Sequence, residues 1–385
     1  MTHETILRNA RLVLEDAVVE GTIVLRDGTI AEIDPGAGKV AGGRIGEDME
    51  GDYILPGLIE LHTDHLEHHY APRPGVTWNL TAAIQAHDVQ IAASGITTVL
   101  DCLRLGSDED GGFKKGEMRA MSDAIAAADK DSRLRAEHRI HLRCEVSAPD
   151  VLDHFDEFAN NDRVALVSLM DHAPGQRQFT TMEQYILYYK TKRGMSEDAF
   201  TAFVERRKKQ SETYADKHRA HLAAICHGRG IALASHDDAT LEHVEESRGF
   251  GVAVAEFPTS MIAAEASHKA GMGVLMGAPN IVRGRSHSGN IPARALAEAG
   301  VLDILSSDYV PFSLIHAPFV LADEVASVSL AEAVAMVSAN PAREVGMNDR
   351  GSLRPGLRAD LSRVRHNPGD VPVVRMVMRQ GVRVI

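Results

Sequence analysis

From Ile54 onward the chain repeats one pattern, a short apolar run followed by a polar stretch of helix length. The runs are ILPGLIELHTD, ITTVLD, RIHLRCEV, VALVSLMDH, IALASHDD, GVAVAEFP, MGVLMGAPN and DILSSDY. Strands that alternate with helices predict parallel β/α units, because a parallel connection needs a crossover. Eight such units close a TIM-like (β/α)8 barrel of roughly 250 residues, placed here at 54–349. The remaining ends read alike. TILRNARLVL, GTIVLRD and TIAEID are β-prone runs broken by Gly and Asp, and the tail segments GSLRPGLRADLSRVRHN and VPVVRMVMRQGVRVI return to short strands. The expectation is a small β-sandwich domain built from both termini, residues 1–53 and 350–385.

Two segments depart from the repeat. Residues 180 to 229, between the fourth and fifth strands, form an insertion whose MSEDAFTAFVERRKKQSETYADKHRAHLAAICHGRG reads as a long polar-faced helix ended by glycine. After the eighth strand, SLAEAVAMVSANPA predicts a helix stopped by Asn-Pro.

A net charge of −13 argues against sequence-independent binding to nucleic acid or to an anionic membrane, since both need a basic surface. No apolar run approaches membrane-spanning length, and Glu4 and Arg8 interrupt the stretch where a secretory signal would need its apolar core. A cytoplasmic protein is expected. Cys102, Cys144 and Cys226 lack CxxC spacing and are read as reduced core residues. Neither a dinucleotide fingerprint nor a GxSxG elbow is present, which removes dehydrogenase and serine-hydrolase readings.

Barrel chemistry sits at the C-terminal ends of the strands. Strand one ends in His62, Thr63 and Asp64, strand three in Glu145, and strand four in Asp171 and His172. Strand five ends in His236, Asp237 and Asp238, strand six in Glu256 and strand eight in Asp308. His62 and Asp64 are two apart, so on an extended strand they share a face that His65 does not. Imidazole and carboxylate donors together suit Zn foremost, or Mn, Fe or Ni, over Mg or Ca. One or two divalent ions are expected. Glu145 can bridge two cations, and Asp308 can both ligate and take a proton from the hydrolytic water. A cationic rim accompanies this set. PNIVRGRSHSGN offers Arg283, Arg285, His287 and Asn290 without an acidic residue, DHAPGQRQF adds Gln176 and Arg177, and YYKTKRG adds Lys190, Lys192 and Arg193. Loops after strands seven and eight often hold phosphate in such barrels, so the expected partner is an anionic phosphorylated substrate. Self-association into a homo-oligomer stays open.

The order PGLIELHTD, strand-three Glu, strand-five His and SSD, flanked by a β domain of both termini, resembles the amidohydrolase superfamily of metal-dependent hydrolases. ASGITTVLD, AEHRIHLRCEV, LVSLMDHAPGQRQF, IALASHDDAT, AEFPTS, GMGVLMGAPNIVRGRSHSGN and LDILSSDY are more closely similar to its α-D-ribose 1-methylphosphonate 5-triphosphate diphosphatases, enzymes of bacterial phosphonate breakdown. That resemblance implies hydrolysis of a sugar 5-triphosphate to the 5-phosphate with release of pyrophosphate. It departs at two points: His65 stands where that family usually has Asn, and the superfamily's HxH is HxD here. Glu256 stands where the superfamily often has His, and with His172 it completes the candidate ligand set. A deacylase or cyclic-amide hydrolase on the same barrel is the alternative. A non-catalytic scaffold would lack the strand-end ligands that this chain retains.

Overall fold

A computed structural model describes residues 4–36, 46–106, 116–174, 177, 196–286 and 290–385. Two eight-stranded sheets organise the chain. The first runs in the order β16-β15-β14-β5-β1-β2-β3, with β4 also paired to β1. Its strands are β1 (Glu4–Val13), β2 (Val18–Arg26), β3 (Thr29–Pro35), β4 (Glu47–Asp48), β5 (Tyr53–Pro56), β14 (Leu361–Arg365), β15 (Val373–Arg379) and β16 (Val382–Arg383). The termini thus build one largely antiparallel sheet. Alternating residues of both ends fill its core, among them Leu7, Leu12, Ile23, Leu25 and Ile54 from the start of the chain and Leu361, Met376 and Met378 from its end.

The second sheet is parallel and follows sequence order: β6 (Leu58–Thr63), β7 (Ile96–Leu105), β8 (Glu137–Glu145), β9 (Val164–Met170), β10 (Ala232–His236), β11 (Val254–Glu256), β12 (Gly273–Gly277) and β13 (Ile304–Ser306). Every residue of β6 and β12 is buried, as strands covered on both faces require. First and last strands meet through a parallel bridge between Thr63 and Asp308, so the sheet is the expected TIM-like barrel. Among the described residues no helix is long and apolar enough to cross a membrane. All three cysteines are buried, and none is in a disulfide.

By internal contacts the chain separates into two compact units, residues 1–101 with 124–139 and 276–385, and residues 102–123 with 140–275. In the first unit, ILPGLIELHTD is not one strand. Tyr53–Pro56 belongs to the terminal sheet and Leu58–Thr63 to the barrel. Gly57 makes the break. A Cβ there would lie 2.2 Å from Thr97 Oγ1, and its N–H donates to the Asp360 carbonyl at 2.8 Å. SLAEAVAMVSANPA also differs from expectation, forming two short helices, Leu330–Ala335 and Ala339–Glu344. Asn-Pro opens the second instead of closing the first, because a proline in the first helical turn forfeits no internal hydrogen bond.

The first unit is further tied by Glu137, whose Oε2 accepts from Arg350 at 2.9 Å and from Arg358 at 2.6 Å. Burial would raise this carboxyl, yet the two guanidiniums hold it down at about 2. A depressed carboxylate stabilises the fold fully above its unfolded value of about 4.5 and ceases to do so as pH falls toward 2. We predict that Glu137→Gln loses about 1–3 kcal/mol at neutral pH. Its urea-unfolding midpoint should also change less than that of the wild type between pH 4.5 and pH 2.

Candidate active site

Strand ends of the second unit carry one connected set of buried charges. Glu145 closes β8 and is 2 % exposed. Its Oε2 faces His172 Nδ1 at 2.7 Å, while Oε1 accepts from the His172 backbone at 3.1 Å, from Ser147 Oγ at 2.6 Å and from Arg207 at 3.2 Å. Burial alone would raise Glu145, but His172 and then Arg207 and Arg104 hold it well below the carboxylate range. Both oxygens of the residue expected to bridge cations are therefore already engaged by protein groups.

The same arrangement recurs one strand pair along. His236, at the end of β10, has Nδ1 3.2 Å from Glu256 Oε2 and Nε2 3.4 Å from Asp237 Oδ2. His172 Nε2 lies 3.9 Å from that same Asp237 oxygen. Each imidazole thus turns Nδ1 toward a buried glutamate and Nε2 toward Asp237. His172, His236 and Asp237 form a group able to hold a metal ion. Burial, with help from Arg143 and His172, lowers His236 to about 3, so this ring is neutral and keeps a lone pair for a cation. Asp237 has φ of 60°, a left-handed conformation that Asp tolerates better than most residues, and its N–H donates to the Glu256 carbonyl at 2.9 Å. This conformation turns the chain directly after the strand.

The Glu197–Arg229 helix supplies the counter-charge. It is capped by Ser196 and ended by Gly230 at φ 65°, as the glycine in the sequence implied. Its buried stripe includes Phe200, Phe203, Val204, Arg207, Ser211, Ala215 and Leu222, a helical periodicity. Arg207 reaches Glu145 from this stripe, and Ser211 Oγ donates to Asp171 Oδ2 at 2.7 Å. Arg207 was missed by sequence reasoning; the signal for it is an arginine in register with apolar residues three and four positions apart. Arg177, expected to hold phosphate, is 3 % exposed and ion-paired with Asp238 and Glu246, so its charge is already matched.

In the first unit, β6 ends at Thr63 and Asp64 occupies the position before a helix, with φ −93° and ψ 10°. The alternation expected to align His62 with Asp64 therefore stops one residue short. His62 is buried, whereas Asp64 and Asp308 are half-buried. Asp308 has φ of 55°; its N–H donates to the His62 carbonyl and its carbonyl accepts from Asp64 N–H, both at 3.0 Å. Glu60, unremarked in the sequence, spans the same seam. Its carboxyl accepts from His62 N at 2.6 Å and from Ser307 N at 2.5 Å, and burial pushes it up to about 8. Arg283 is exposed at the end of the Ala278–Arg283 helix, its guanidinium 3.4 Å from Tyr309 Oη. Arg285 is exposed and Asn290 half-buried. Gln176, Lys190, Lys192, Arg193 and His287 lie outside the described residues.

A family model described as "Amidohydrolase family" matches residues 71–385. The chain belongs to that family. Its members use divalent metal ions, and the described residues contain several His, Asp and Glu groups that could hold one. A curated relative from Escherichia coli (strain K12), alpha-D-ribose 1-methylphosphonate 5-triphosphate diphosphatase, is 45% identical over 380 residues, covering 98% of this chain and 100% of that protein. Among solved structures, N-acetylglucosamine-6-phosphate deacetylase from Pasteurella multocida matches with a TM-score of 0.62 at 13% identity, covering 99% of each chain. N-isopropylammelide isopropylaminohydrolase from Burkholderia multivorans matches at 0.61 and 17%, covering 99% of this chain and 98% of that one. These two likenesses concern the fold alone.

Removing one partner from a buried ion pair strands the other charge. We predict that Arg207→Met, which keeps much of the volume, destabilises this amidohydrolase by roughly 3 kcal/mol. This is the lower end of the range for such a loss, because His172 still faces Glu145. Urea denaturation of the two proteins measures the difference.

Proposed function

We propose that this amidohydrolase cleaves a ribosyl 5-triphosphate bearing a 1-methylphosphonate group to the 5-phosphate and pyrophosphate. The observation that carries this reading is near-full-length identity of 45% to the Escherichia coli diphosphatase of that name. His172 and His236, through Nε2, and Asp237 would hold a divalent cation in the second unit. Two imidazoles with one carboxylate form a donor set that suits Zn2+ better than the oxygen-seeking Mg2+ or Ca2+. Glu145 and Glu256 would act behind the histidines, fixing each ring and its tautomer as carboxylates commonly do behind ligating histidines. Within the first unit, His62 and Asp64 are proposed as metal donors. When bound, a divalent cation supplies Lewis acidity toward phosphoryl oxygen and acidifies water toward neutral pH.

Asp308 is proposed as the acceptor of the proton lost by the attacking water. The water oxygen bonds to phosphorus, the phosphoric anhydride bond breaks, and pyrophosphate carries away the electron pair. Arg283 offsets charge on the triphosphate. Phosphoryl transfer asks mainly for positioning and charge neutralisation, which cationic side chains provide.

Two measurements test this. Wild-type enzyme given the ribosyl triphosphate should release one pyrophosphate per turnover, while Asp308→Asn, whose Asn tolerates the same backbone conformation, should be folded and inactive. Release of an amine from amide substrates without pyrophosphate from triphosphates would defeat the proposal. Arg283→Ala should lower kcat/KM for the triphosphate about 10- to 150-fold, the equivalent of losing one charge-assisted contact worth roughly 1.5–3 kcal/mol. Unchanged kinetics in that variant would remove Arg283 from the substrate's surroundings.

A further inference from the structure

The segment immediately after Asp64 carries histidines that the proposed reaction does not use. His65 and His69 are the first and fifth residues of the His65–Tyr70 helix, α1, and therefore lie on one face of it. The Leu80–Ala93 helix, α2, packs against α1 and presents His87 to that face. His65 and His87 are buried, at 7% and 0% exposure, and His69 is half-buried. One ring nitrogen from each lies within 4.8 Å of the other two.

Three details of this cluster suit a cation better than packing alone. First, His87 Nε2 lies 2.8 Å from Asp101 Oδ1. With Nε2–H donating to that carboxylate, the lone pair is on Nδ1, the atom that faces His65. A carboxylate behind a ligating imidazole has this function in metal sites. Second, His65 Nδ1 and His87 Nδ1 are 3.3 Å apart. Two nitrogens each about 2.0–2.1 Å from a tetrahedral zinc ion are separated by about 3.3–3.4 Å, so the spacing already fits a shared ion. Third, His69 Nε2 is buried and makes no hydrogen bond of good geometry among the described residues, the Gln90 side chain being the polar group near the ring. A buried polar atom without a partner is costly unless something satisfies it.

Asp101 is itself fixed. Its other oxygen lies 2.7 Å from His138 Nδ1, and His138 Nε2 is 3.4 Å from Asp88 Oδ1. Asp88 accepts from the backbone N–H groups of Arg135 and Ala136 at 2.7 and 3.0 Å and from the Arg135 guanidinium at 3.1 Å. The carboxylate behind His87 therefore has little freedom to turn away.

We propose that His65, His69 and His87 form a three-imidazole site for a borderline divalent cation, Zn2+ or its spectroscopic substitute Co2+, in addition to the donors at the strand ends. An all-nitrogen set excludes Mg2+ and Ca2+ by chemistry. The ion would clamp α1 to α2 and fix the chain that leaves the barrel after Asp64, with water as a fourth ligand. This inference does not rest on the proposed reaction, since it is read without substrate.

The test compares zinc content of wild-type and His69→Gln enzyme after loading with Zn2+ and removal of the excess. We expect His69→Gln to hold one equivalent per chain less, and the zinc-dependent rise in melting temperature seen in the wild type to shrink with it. His69→Cys supplies a second, positive readout. Loaded with Co2+, it should show a thiolate-to-metal charge-transfer band absent from the wild type. Equal zinc content in wild type and His69→Gln, or a Co2+-loaded His69→Cys protein without that band, would mean that the three rings are only a hydrogen-bonded cluster and would overturn the site.

Discussion

Glu145 is a carboxylate removed almost wholly from water at the end of a barrel strand, and the second unit's polar architecture follows from how that charge is matched. An isolated buried carboxylate would take up a proton or unfold its surroundings. Here Arg207 reaches in from a helix inserted between two barrel strands, Ser147 and the His172 backbone donate, and His172 turns its Nδ1 inward. Satisfying the charge fixes the imidazole, and fixing the imidazole aims its Nε2. Glu256 stands in the same relation to His236, with His141 3.9 Å away on its other side. Asp237, turned by its left-handed backbone, is where the two ring edges converge.

The barrel itself was legible because its periodicity is long and repeated. Eight apolar runs, each followed by a polar stretch, leave few alternatives, and the glycine-ended inserted helix and the two-ended terminal sheet followed from equally local signals. Breaks set by tertiary contact were hidden. Gly57 separates two strands because Thr97 lies against it, some forty residues away in sequence. Asn340 and Pro341 open a helix that composition alone would have them close.

For the site, the sequence marked the strand-end residues but not which of them face one another. His172 and His236 were marked, and Asp237 was seen as a strand end but not among the donors. Glu145 and Glu256 were read as ligands from their strand ends, and each faces an imidazole, a relation that depends on which oxygen meets which nitrogen. Arg177 was read as a phosphate anchor, and nothing local in the sequence shows its ion pairs with Asp238 and Glu246. Nothing in the sequence marks the α1 histidines as a group with His87, which α2 brings beside them.

Anomalous diffraction at the zinc edge from crystals of the zinc-loaded enzyme tests the central claim most directly. The account predicts a peak with His172 Nε2, His236 Nε2 and an Asp237 oxygen each at about 2.0–2.2 Å, and with Glu145 and Glu256 bonded to the far sides of those rings. A peak ligated by Glu145 or Glu256, with Asp237 outside bonding distance, would contradict it.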